Sequence, residues 1–200
     1  MNRQCKLCPV ECGADRTTEC GACGAGDTMR VAKYGLHPYE EPCISCKNGS
    51  GTVFFSGCAL RCVFCQNFEL SRARVGQEVT PERLAGIFRE LEEMGAENIN
   101  LVTASHYVPQ LLKTFAIYRP KIPVVYNTHS YEKLEALRAL DRYIDVYLPD
   151  MKYFSPKISA RYTGKADYFE YASEAVKFMA SRAPQFDGDK MVAGLSLIHI

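Results

Sequence analysis

Residues 57–67 read Gly57-Cys58-Ala59-Leu60-Arg61-Cys62-Val63-Phe64-Cys65-Gln66-Asn67 and follow directly on a strand-like run, Gly51-Thr52-Val53-Phe54-Phe55-Ser56. The spacing C-x3-C-x2-C places three thiolates on one loop pinned by a strand end, where they can wrap one corner of a cubic iron–sulfur cluster. Three protein ligands for four irons leave one iron without a protein ligand. An open metal position is where a small molecule can bind and react, whereas a fully ligated site usually holds structure. The loop therefore reads as chemistry, and the fold has to present it at the end of a strand.

The rest of the chain supplies such strands. Beyond the turn-rich Lys47-Asn48-Gly49-Ser50-Gly51, strands and amphipathic helices alternate, which predicts βα units and a parallel sheet. Strands are predicted at 52–56, 98–103, 122–126 and 144–148, with a fifth at 194–200. The first helix opens at Thr80-Pro81, a capping residue followed by proline at the first helical position, and Gly95 closes it. Its apolar residues Leu84, Ile87, Phe88, Leu91 and Met94 recur at helical spacing and form a core stripe, not a cofactor site. A second helix carries Val108, Leu111, Leu112 and Phe115, and a third starts near Ser130. A further helical stretch from Pro156 is broken near Thr163-Gly164 and resumes after Asp167.

The amino-terminal segment, residues 1–47, is a separate cysteine-rich module in this reading, with the α/β part covering 48–200. It runs Cys5-x2-Cys8-x3-Cys12-x7-Cys20-x2-Cys23 and then, after a gap, Cys43-x2-Cys46. Glycine follows Cys12, Cys20 and Cys23, which lets the chain turn tightly so that backbone N–H groups point at sulfur. Tetrahedral zinc and an auxiliary iron–sulfur cluster both accept four thiolates, so both metals stay open. Cys43 and Cys46 read as bystander thiols beside the mouth of the barrel, or as a source of a fourth ligand to the central loop. Ten cysteines with no secretory leader point to metal ligation in a reducing, cytoplasmic compartment. A net charge of +1 gives no reason to propose nucleic acid or an anionic membrane as partner, and no apolar run approaches the ~18–20 residues that span a bilayer.

The C-x3-C-x2-C spacing, with an aromatic residue just before the last cysteine, resembles the signature of the radical S-adenosylmethionine (SAM) superfamily. The wider string from Gly51 to Asn67 is similar to a narrower branch, the proteins related to pyruvate formate-lyase activating enzyme. The resemblance implies a partial (βα) barrel, with the sequence ending after about four βα units, as a carboxy-terminal truncation of a longer protein would. It implies a 4Fe-4S cluster on Cys58, Cys62 and Cys65 with SAM on the open iron. It also matches Cys5, Cys8, Cys12 and Cys23 to the family's amino-terminal pattern, leaving Cys20 as an extra.

In such architectures ligands gather at the carboxyl ends of the strands. Read there, Phe64 and Asn67 lie beside the cysteines, with Phe64 against the SAM adenine by resemblance. Thr103 and Ser105 follow the second strand, as candidates for the SAM amino group or as helix caps. His106, also after that strand, reads more readily as structural. Asn127 follows the third strand. Asp150 and Lys152 follow the fourth; a carboxylate there can accept ribose hydroxyls or ligate a hard cation, and a lysine can pair with the methionine carboxylate. His199 lies on the last predicted strand.

The resemblance implies an enzyme that reductively cleaves SAM to a 5′-deoxyadenosyl radical, to install a glycyl radical on a partner enzyme, with an electron donor such as flavodoxin or ferredoxin. The alternative is a non-catalytic zinc or iron–sulfur protein with a structural or interaction role, or an inactive fragment.

Overall fold

The computed structural model describes residues 4–196. Its centre is an eight-stranded sheet of order β3-β1-β2-β4-β5-β6-β8-β7. The parallel part comprises β2 (Ser50–Phe55), β4 (Ile99–Val102), β5 (Val124–Thr128), β6 (Val146–Pro149) and β8 (Lys190–Leu195). Three antiparallel strands flank it: β1 (Met29–His37) on β2, β3 (Gln77–Val79) on β1, and β7 (Gln185–Asp187) on β8. The sheet does not close, because β3 and β7 stand at its two ends. The predicted strands are present within a few residues. The fifth forms at 190–195 rather than 194–200, and His199 lies outside the described residues.

The flanking strands were not foreseen. Met29–His37 falls inside the stretch read as an amino-terminal module, yet it pairs with β2 along Val31–His37 in the main sheet.

Helices α3 (Pro81–Glu93), α4 (Val108–Ile117), α5 (Leu134–Leu140) and α7 (Tyr168–Ala180) carry the residues that cover one face of the sheet. Thr80 caps α3 by accepting the Arg83 N–H at 3.2 Å, with Pro81 at the first helical position. The α3 stripe Leu84, Ile87, Phe88 and Leu91 is buried against Val53, Phe55, Ile99 and Leu101. Full burial of each such side chain contributes about 1.5–3 kcal/mol. The helix expected from Ser130 begins instead at Leu134, because Ser130 sits in the left-handed region (φ 62°) and Thr128 through Glu132 form a side-chain-bonded turn. Between them, α2 (Phe68–Arg72) follows the cysteine loop, and α6 (Pro156–Thr163) ends at Gly164 in a left-handed cap (φ 74°).

The opposite, concave face is filled at its lower end by α1 (Pro42–Ser45). There Ile44, wholly buried, packs on Val125, Val146, Leu148 and Met191. That plug leaves the concave face open only towards the carboxyl ends of the parallel strands. Among the described residues no helix is long and apolar enough to cross a membrane.

Candidate functional site

A cleft of about 460 Å³ opens at those strand ends. Cys58, Cys62 and Cys65 line it from the loop after β2, Thr103 from the end of β4, Asn127 from β5, and Asp150 and Lys152 from the end of β6. Phe64 and Asn67 complete the same wall. Backbone bonds hold these strand ends in register: Thr103 N–H donates to the Asn127 carbonyl at 3.0 Å, and Asp150 N–H to the Thr128 carbonyl at 2.8 Å. Ser105 is not among the lining residues. It begins a 3₁₀ turn (Ser105–Tyr107), is 3 % exposed, and its hydroxyl points away into the interior without a partner.

The cysteine loop is anchored on every side. Gly57 N–H donates to the Leu70 carbonyl (2.8 Å), Cys58 N–H to the Cys23 carbonyl (3.0 Å), and Val63 N–H to the Tyr162 carbonyl of α6 (3.0 Å). Arg61 donates to the Ala22 carbonyl at 3.1 Å, and its own carbonyl accepts from Arg72. Arg61 sits at φ 49°, a turn that aims the N–H groups of Leu60 and Arg61 at the Cys58 sulfur. Backbone donors converging on sulfur are what a cluster thiolate uses. Burial pushes the Cys58 thiol up to about 11, with those two N–H groups pulling the other way. Burial also raises Cys62, against the Tyr153 hydroxyl and the Lys152 cation. Buried Tyr153 has no well-aligned hydrogen-bond partner for its hydroxyl, which lies beside the Cys62 sulfur. Metal binding removes such thiol protons. The donor set fits an iron–sulfur cluster: three soft thiols, backbone N–H groups on one sulfur, and an unpartnered hydroxyl beside another.

Behind this wall Tyr168, wholly buried, ties two strand ends together. It accepts the Lys152 N–H at 2.9 Å, and its hydroxyl lies 3.0 Å from the His129 carbonyl and 3.1 Å from that of Asp150. Lys152 is ion-paired with Asp150. Phe64, 59 % exposed, packs edge-on against Tyr162 at 5.4 Å and Tyr153 at 6.3 Å. The exposed ring is thereby held upright at the cleft wall.

Residues 52–184 match the family model for the radical SAM superfamily. The chain belongs to that superfamily. Membership brings with it, in general, a 4Fe-4S cluster and SAM, and an enzyme of radical SAM type. The chain is also similar to the uncharacterized protein MJ0674 of Methanocaldococcus jannaschii, at 29 % identity over 177 residues, 84 % of this chain and 51 % of that protein. It thus spans about half the length of that relative.

In this radical SAM chain the amino-terminal cysteines fall in two places. The Cys8 thiol, raised to about 11 by burial, lies within electrostatic reach of Cys23, Cys5 and Cys12. Cys12 and Cys23 sulfurs both border the space beside Gly21. Cys20 stands apart, lining a separate cleft with Arg16, Arg30 and Arg74. Among the described residues no three His, Cys, Asp or Glu side chains are gathered as a single metal ion requires. A cube of four irons takes its thiolates at separate corners, farther apart than around one ion. If the quartet is one site, Cys8→Ser lowers the bound metal by one site equivalent and Cys20→Ser leaves it unchanged, by elemental analysis of purified protein. Equal loss in both would show that Cys20 is a ligand.

Cys43 and Cys46 are not at the mouth. They belong to the plug helix at the other end of the concave face, where Cys43 packs on the buried cluster around Ile44, and Cys46 is near Glu97 and Lys190. Neither lines the cleft, so neither supplies a ligand to the central loop. His106 is structural: buried, it bonds the Ser56 carbonyl through Nε2 at 2.8 Å and abuts Gly57. Several cleft residues carry no site role in the sequence reading, among them His37, Tyr39, Glu40 and His129. Glu40 lies in a polar loop before a proline, and His129 has no spacing partner in sequence; neither carries a motif signal.

Proposed function

We propose that Cys58, Cys62 and Cys65 ligate three irons of a 4Fe-4S cluster and that the cleft above them holds SAM against the fourth. When bound, that pair supplies one-electron reductive cleavage of SAM to methionine and a 5′-deoxyadenosyl radical. The supporting observation is the convergence of the three thiols with Phe64, Asn67, Thr103, Asn127, Asp150 and Lys152 on one cleft at the strand ends. Phe64 offers an aromatic face edge to the adenine. Asp150 and Lys152, already paired, offer an acceptor for ribose hydroxyls and a cation for the methionine carboxylate. Asn67, Thr103 and Asn127 add uncharged donors and acceptors around the rim. The wall of buried Tyr153 and Tyr168 with half-buried Tyr162 limits water at the cysteines.

The substrate in this reading is a glycine of a partner enzyme, from which a hydrogen atom is removed. Electrons come from a flavodoxin or ferredoxin. The family resemblance supports that step by analogy. Cys5, Cys8, Cys12 and Cys23 form a second metal site, zinc or an auxiliary cluster.

Anaerobic iron, sulfide and zinc analysis with EPR of the reduced protein, with and without SAM, tests this. A four-iron signal that shifts on adding SAM and vanishes when Cys58, Cys62 and Cys65 are changed to Ala is the expected result. Zinc alone, or a cluster indifferent to SAM, would sink the reading.

A further inference from the structure

Glu40 and His129 give the cleft polar capacity that the cofactor reading does not use. Glu40 leaves the loop after β1 and reaches across the concave face, where Oε2 accepts Asn100 Nδ2 at 2.9 Å and Asn127 Nδ2 at 3.2 Å. Both bonds go to one oxygen, so the acceptor capacity of Oε1 is unused among the described hydrogen bonds. Asn100 is wholly buried, and its Oδ1 has no partner. Glu40 at the cleft and Asn100 behind it thus each keep an acceptor oxygen without a donor among the described hydrogen bonds.

The wall after β5 has the opposite character. His129 is 5 % exposed, and its Nδ1 accepts the Tyr131 N–H at 3.1 Å. The proton of the neutral ring therefore sits on Nε2, and that N–H has no partner. The ring cannot swing away: Tyr168 holds the His129 carbonyl, and Thr128 and Ser130 on either side are locked into the turn around Glu132. Buried polar groups are nearly always hydrogen-bonded, and each exception calls for an explanation. Both residues line the same cleft, one short of a donor and the other of an acceptor.

We propose that Glu40 and His129 are the specificity-determining residues for substrate, Glu40 Oε1 accepting an N–H and His129 Nε2–H donating to a C=O, so that the cleft selects a neutral amide group of a peptide. A free carboxylate would be better met by a cation, and the cation lining the cleft, Lys152, is the one the cofactor reading gives to the methionine carboxylate. Burial keeps the imidazole uncharged, its pKa lowered to about 4, which suits a carbonyl oxygen. The inference rests on the protein substrate proposed above and names the groups that would read it.

The test is saturation-transfer NMR on the anaerobically reconstituted protein with N-acetylglycinamide, and with methyl acetoxyacetate, a diester without N–H groups. The amide should bind the natural protein. Glu40→Gln and His129→Phe should each weaken it about tenfold, the scale of one hydrogen bond to a charged or buried group. His129→Gln, which keeps a side-chain N–H, should recover part of the loss. The diester should bind more weakly and be indifferent to Glu40→Gln. Thermal unfolding of each variant checks that the fold is kept. No transfer to the amide in the natural protein, or equal transfer in all variants, overturns the inference. So does a change confined to SAM affinity, measured by equilibrium dialysis, since the pair would then read the cosubstrate. None of these measurements needs SAM cleavage, so a silent EPR experiment would sink the earlier reading without deciding this one.

Discussion

Replacing Gly57 by alanine is expected to destabilise the protein by about 2–4 kcal/mol, the sum of a left-handed backbone position and a backbone clash. Gly57 adopts φ 92°, and a Cβ built there would meet the Cys23 carbonyl oxygen at 2.7 Å and His106 Nε2 at 3.2 Å. Neither neighbour can yield. The Cys23 carbonyl accepts the Cys58 N–H, and His106 is fixed between the Ser56 carbonyl and the Arg16 guanidinium, which bonds its own carbonyl at 2.6 Å. The damage should therefore reach both the first cysteine of the central loop and the amino-terminal segment behind it. Urea unfolding measures the loss, and amide exchange at Cys58 locates it. A variant as stable as the parent, with Cys58 still protected, would show that the loop is not anchored through this contact.

Acid should weaken the fold in two stages. His106 and His129 are both buried and held neutral, with pKa values lowered to about 3 and about 4, burial being the main cause in each. A base with a depressed pKa contributes stability that is complete above its unfolded value and is lost as pH falls below it. Each histidine then removes about 1.4 kcal/mol per pH unit below about 6.5. Glu132 acts in the opposite sense. Its carboxyl, raised to about 7 by burial although Tyr126 and Thr128 donate to it, regains stability as pH falls from 7 towards the unfolded value near 4.5. Over that window one histidine's loss is offset. From these groups stability should fall by about 1.4 kcal/mol per unit from pH 6.5 to 4.5, and about twice as fast below 4.5 until His129 itself protonates near 4. In Glu132→Gln the offset is gone, so the slope between pH 6.5 and 4.5 should roughly double. Urea midpoints at half-unit pH steps measure both slopes. A flat profile for Glu132→Gln across that window would mean that the histidines are not held neutral.

The parts of the fold that sequence reveals are those where one local rule decides the outcome. Thr80-Pro81 starts a helix because a capping oxygen and a fixed φ both favour it there, and Leu84, Ile87, Phe88 and Leu91 show which face is buried. The cysteine loop stands out because three soft ligands close together after an apolar run have few other uses. β1 was missed for the converse reason. After Met29 and Val31 its side chains are mostly half-buried or exposed, so no alternation marks it as a strand, and only its pairing with β2 does. Ser105 illustrates a different failure: a hydroxyl just past a strand end looks available to a ligand, but the 3₁₀ turn rotates it inward. Glu40 and Asn100 are 60 positions apart, and their meeting depends on how the loop after β1 crosses the concave face, which no window of sequence contains.

Strand β2, which delivers the cysteine loop, lies between β1 and β4, hydrogen-bonded on both edges, and Val53 and Phe55 on it are almost wholly buried. Its amides can exchange with solvent only when the sheet itself opens, so β2 belongs to the slowest-exchanging part of the molecule. The loop after β2 is thus fastened to the last part of the protein to come apart. On partial denaturation the edges β3 and β7 should yield first, and the geometry of the three thiols should outlast much of the structure around it.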